Sequence, residues 1–168
     1  MIRELVVRKD PNSTGSVADI RAQNAVLFEI HENMDSVARM VNQIEWIRKQ
    51  IGDLQELPAQ ADEVLAASRE LDEKFIALED QFIAVGFSGD YAGDGLRFPE
   101  QFYYRSAGLA SGIAQADFAP TTQQHESHEF LNTQLASFKN EFGALIENDL
   151  AGFNKLMKEE ELPVIIVR

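Results

Sequence analysis

Apolar side chains recur every three or four positions along most of this chain, and the recurrence stops at a few points rich in glycine and proline. Ile20, Leu27, Met34 and Val41 repeat every seven residues, and Ile30, Val37, Ile44 and Ile51 form a companion row. Two such rows predict one amphipathic helix over residues 16–51, about 54 Å long at 1.5 Å per residue. Ser16 is its N-cap, Asp19 three residues on favours the helix N-terminus, and Gly52 ends it. Leu57, Val64, Leu71, Leu78 and Val85, alternating with Ala61, Ser68, Phe75 and Phe82, predict a second helix over 57–85, with Pro58 in its first turn and Gly86 at its close.

The glycine-rich stretch GFSGDYAGDGLRF interrupts the pattern, and Pro99 restarts it. Phe102, Leu109 and Ile113 make a shorter stripe, which predicts a third helix over 99–117 ending by Pro120. Thr121 and Gln124 spell a capping box for a fourth helix over 121–161, with Leu131, Leu135, Phe138, Phe142 and Leu145 as its seam. Past Asn148 the stripe moves to Ile146, Leu150, Phe153 and Met157, implying a rotated face or a local bend. Pro163 stops that helix, and VIIVR after it reads as a strand over 163–168, matching ELVVR within a strand over 3–9.

The expected fold is therefore mainly α: an up-down antiparallel four-helix bundle, residues 1–168 as one domain, with short terminal β-strands. An even number of helices returns both termini to one end, where the strands could pair antiparallel. A lone two-stranded ribbon is marginal in water, and Val164 to Val167 has no polar face, so another domain or a second copy adding strand to strand is expected to cover it.

Composition narrows what such a domain can do. With 28 acidic and 15 basic residues the formal net charge is −13, and the basic residues are scattered, so the reading includes no nucleic-acid partner. No apolar run reaches the ~20 residues of a transmembrane segment, and the N-terminus has no signal-peptide core. The absence of cysteine removes thiolate catalysis, zinc-thiolate sites and disulfides.

The candidate chemistry is thin. TTQQHESHEF places His125 and His128 three apart beside Glu126 and Glu129, but H-E-x-H misses the helical zincin spacing by one residue. A carboxylate-bridged di-iron bundle needs Glu three residues before His, and Phe28, Thr122 and His125 hold those positions. GDYAGDG has only Asp90 and Asp94 as side-chain oxygen donors and lacks both an EF-hand pattern and a phosphate-loop lysine. His31 reads as a seam-edge residue and Trp46 as a bundle-edge core residue. Glu159 to Glu161 sit where the helix dipole disfavours them. The sequence thus assigns no catalytic, cofactor-binding or metal-binding residue and no cofactor. A metal-binding or enzymatic bundle using His125 and His128 is the alternative, and a homodimerisation module joined through the terminal strands is another.

LVVRKDPNSTGSVADIRAQNAVLFEIHENMDSVARMVNQIEWIRKQI, LRFPEQFYYRSAGLASGIAQADFAPTTQQ and DLAGFNKLMKEEELP together give the chain a further feature. With them it resembles, over nearly its whole length, the C-terminal helical region of large bacterial proteins with BNR-type (Asp-box) or sortilin-like β-propeller repeats, often labelled glycosyl hydrolase. The resemblance implies a domain excised from a longer exported protein, periplasmic or on the cell surface. Its 3–9 strand would belong to a neighbouring sheet, and its partners would be the other domains of the parent chain; the uncovered terminal strands add a homo-oligomer as the alternative partner. It implies no catalysis here, since hydrolase residues would belong to the propeller, and no Asp-box motif S-x-D-x-G-x-x-W occurs in the chain. The expected function is a noncatalytic helical accessory or interaction domain.

Overall fold

A computed structural model describes residues 5–6, 8–57, 61–84 and 101–167. The chain is mainly helical. Helix α1 (Val17–Gln55) opens on the expected capping box: Ser16 accepts from the Asp19 amide, and the Asp19 carboxylate accepts from the Ser16 amide at 2.8 Å. Hydrogen bonding to the Ser16 side chain, and next to the Ser16 backbone amide, holds the Asp19 carboxyl below its ordinary pKa. Helix α2 spans Asp62–Phe82, α3 Phe102–Ile113, and α4 Thr122–Ala144 behind the Thr121–Gln124 capping box. A π-helical segment, Leu145–Leu150, joins α4 to α5 (Ala151–Glu159).

Helix α1 runs past Gly52 to Gln55, because the buried Ile51 and Leu54 still have a core to cover. Its Ile30, Val37, Ile44 and Ile51 row is buried as expected. The second buried row is Val26, Met40, Ile47 and Leu54, whereas Ile20, Leu27, Met34 and Val41 are only half-buried. Both rows lie three and four residues from the Ile30 row, one on each side of it, so the Leu27, Met34 and Val41 row packs at the core's edge while Met40, Ile47 and Leu54 take the inner side. In α2 the seam matches the expectation at Val64, Ser68, Leu71, Phe75, Leu78 and Phe82, but Leu57 and Ala61 are exposed and lie before the helix. Pro58, Val85, Gly86, the GDYAGDG stretch and Pro99 lie outside the described residues.

Side-chain pairs set the direction of each helix. Arg48 of α1 reaches Asp72 and Glu79 of α2, while Gln55, farther along α1, reaches Ser68, farther back on α2. Helices α1 and α2 are therefore antiparallel. His128 of α4 faces Glu29 of α1, and one turn on in both helices Asn33 bonds Asn132 at 2.6 Å, so α1 and α4 run the same way. The remaining column is composite. Phe82, the last residue of α2, and Phe102, the first of α3, both meet the Phe138 ring edge-on, at 5.1 Å and 5.8 Å. Helix α2 covers the C-terminal half of α1, and α3 continues down its N-terminal half, where Ile113 packs on Val26 and Ile30.

The expected up-down four-helix arrangement is thus corrected to three columns: α1 rising, α2 and α3 end to end descending, and α4 to α5 rising. With 21 and 12 residues, α2 and α3 together are needed to match the 39 of α1. Three passes leave the start of α1 and the end of α5 at opposite ends. Gly15 lies against the Asp117 backbone after α3, where an added Cβ would fall 1.5 Å from the Asp117 carbonyl oxygen. The C-terminal tail sits beside Gln50, roughly 50 Å away along α1. The terminal strands expected over 3–9 and 163–168 are corrected accordingly: no strand forms among the described residues.

Candidate functional site

The two histidines of TTQQHESHEF part company on α4. His128 is 5% exposed and turns into the α1–α4 seam, with Nε2 3.8 Å from Glu29 Oε2 and no hydrogen-bond partner, whereas His125 faces solvent. Positions three apart on a helix diverge by about 60°, and the apolar seam of Leu131 and Leu135 claims only one of them. His31 is exposed rather than at a seam edge, 3.7 Å from Asp35 on the outer face of α1. No group of three or more His, Cys, Asp or Glu side chains among the described residues is placed to hold a metal ion. Trp46 is partly buried at the bundle edge, and its carbonyl accepts from Gln50.

The buried charge lies elsewhere. Arg48 donates through Nε to Asp72 at 2.9 Å and through Nη1 to Glu79 at 2.7 Å, joining α1 to α2. Glu79 is 2% exposed. Burial pushes its carboxyl above the ordinary value, against the opposing pull of Arg48, with Glu45 and Asp72 adding to the upward push. Burial works against the Arg48 charge too, yet Asp72 and Glu79 outweigh it and hold the guanidinium above its ordinary value. Lys74 bridges Asp149 in the π-helical segment and Glu70, both at 2.8 Å, and these bonds raise its pKa. Such pairs fix one helix against another.

Two surfaces are shaped for contact. On the α3–α4 side, a cleft of about 610 Å³ runs between Arg105, Leu109, Gln123 and Glu126, and Arg105 lies over the Phe130 ring at 5.2 Å. Phe130 and the neighbouring Tyr104 are about half exposed. The second surface holds the C-terminal tail between α1 and α5. Asn154 donates to the Ile165 carbonyl and accepts from the Ile165 amide, both at 2.8 Å. Gln50 does the same for Ile166, at 2.9 Å and 3.0 Å. Successive residues of an extended chain present their polar groups to opposite sides, so one carboxamide clamps each edge while the Ile165 side chain enters the core. A second Gln, Gln23, is buried and donates to the Ile113 and Ala116 carbonyls, satisfying the end of α3.

None of Gln23, Arg48, Gln50, Glu79 or Asn154 stands out in the sequence, because a polar residue within a helical repeat reads as part of a solvated face. The only available signal was position: Glu79 directly follows Leu78 on the α2 seam, and Gln50 directly precedes Ile51. Comparison of the chain with protein-family models, with curated proteins and with solved structures finds no match. No helix among the described residues is long and apolar enough to cross a membrane.

Proposed function

We propose that this chain is a noncatalytic helical bundle serving as an accessory or interaction module of a larger bacterial protein. The observation that carries the reading is the use made of the buried polar groups. Arg48, Asp72 and Glu79 are spent on joining α1 to α2, and Gln50 and Asn154 on holding an extended segment. The exposed Tyr104 and Phe130 beside the α3–α4 cleft supply a contact surface for a neighbouring domain. The likeness of the sequence to helical regions that follow β-propeller repeats supports an exported parent chain, with the propeller carrying any hydrolase activity.

The rival reading, a metal-binding bundle, needs His125 and His128 to act together, and the burial of one and exposure of the other weighs against it. A thermal melt with EDTA and with added zinc separates the two. The accessory reading expects one melting temperature in all three conditions. A zinc-dependent rise that disappears in His128→Ala would favour the metal site.

A further inference from the structure

We infer that the Gln50–Asn154 clamp is an exchangeable receptor for the tail Leu162–Val167, and that a second copy of this chain can supply that tail in place of the chain's own. The inference does not depend on an accessory role in a longer protein. Four observations carry it.

The clamp reads backbone. Each carboxamide takes one N–H and one C=O of a single residue, and the only deeply buried side chain of the segment is Ile165, 5% exposed. Any copy of the same tail satisfies it equally. Next, both hydrogen-bonding edges at Ile165 and Ile166 are already occupied by the clamps. A second chain cannot add a strand alongside at those residues, but it can replace the tail with its own.

The hinge is also under strain. Glu161 has φ 56°, the only positive φ at a non-glycine residue among the described residues, and it makes the turn from α5 into the tail with the Leu162 amide bonded back to Met157. Swinging the tail outward releases that conformation, and a strained hinge beside a docked terminal element favours exchange between copies. Finally, Leu57, Val164, Ile166 and Val167 are exposed around the same end of the molecule. Two copies meeting end to end would cover them, and six extended residues reach roughly 20 Å, enough to cross such a junction.

Two full-length variants test this by complementation. Ile165→Asp keeps the clamp but spoils the anchor of its tail, and the double variant Gln50→Ala, Asn154→Ala keeps the tail but loses the clamp. Light scattering should show each alone as a monomer, while their mixture forms a species of twice the mass, because one sound tail meets one sound clamp. Wild-type chain should show a dimer fraction that rises with concentration. A mixture that stays monomeric with both variants folded by circular dichroism, or a dimer that persists in Ile165→Asp alone, overturns the proposal. Should either variant fail to fold, hydrogen exchange on the wild-type chain decides. The Ile165 and Ile166 amides should exchange at least tenfold faster than those of Val37 and Ile44, by local opening of the tail. Exchange as slow as the core amides would mean that the tail does not detach, and would overturn the proposal.

Discussion

Arg48 is the residue through which α1 holds α2 in register. Its removal leaves Glu79 charged in the interior with Glu45 and Asp72 nearby, and one uncompensated buried charge costs about 3–5 kcal/mol. Arg48→Ala should lose that much in urea unfolding at neutral pH, and adding Glu79→Gln to it should recover part of the loss. The pH dependence follows from the sign of the Glu79 shift. Its folded-state pKa lies above the ordinary 4.5, so the folded chain takes up this proton more readily than the unfolded one. The penalty for the buried charge is fully present above the raised value and is lost as pH falls from there through 4.5. The cost of Arg48→Ala should therefore shrink between pH 7 and pH 5; a cost that grew over that range would contradict the assignment. None of this was legible in the sequence. A chain with 28 acidic residues offers many carboxylates near arginines, and only the packing of Phe75, Leu78 and Phe82 shows that Glu79 is the one taken inside.

At the scale of elements, the change of stripe in the last helix was visible and its cause was not. Buried positions run Leu131, Leu135, Phe138 and Leu145, then resume at Leu150, Phe153 and Met157. Leu145 and Leu150 are five apart, one more than an α-helical face permits, and the π-helical turn between them absorbs the extra residue so that the same face continues inward. The expected rotated face or bend is instead a local widening of the helix. Deleting the exposed Glu147 should close the turn into plain α-helix with the apolar stripe in phase, and leave the melting temperature within a few degrees of the wild type. Deleting Ala136 instead should rotate everything beyond it by about 100° and unfold the C-terminal half, as circular dichroism and a melt would show. Equal damage from both deletions would contradict this account of the segment. The Ser16 N-cap, the Thr121 capping box and the α2 seam were legible because each depends on neighbours in sequence. The tail was not, since a strand-like VIIV held by the side chains of Gln50 and Asn154 has the same composition as one held by another strand.

For the whole molecule, the count of apolar segments predicted the helices but not the number of passes. The stripe Phe102, Leu109, Ile113 spans only a dozen residues, and its shortness beside the α1 seam was the available sign that α3 could not traverse the bundle alone. Edge-on contact of Phe82 and Phe102 with Phe138 then joins α2 and α3 into one column, which makes α1 and α4 parallel and puts the start of α1 and the end of α5 at opposite ends. The absence of cysteine makes this directly measurable, since Thr14→Cys with Glu160→Cys supplies the only two attachment points for spin labels. Both positions are exposed and both lie outside the tail. Double electron–electron resonance on sample diluted with unlabelled chain should give a distance of roughly 50–60 Å, the length of α1. A distance below roughly 25 Å would put the end of α5 beside the start of α1, as in an up-down four-helix bundle, and would contradict the three-column arrangement.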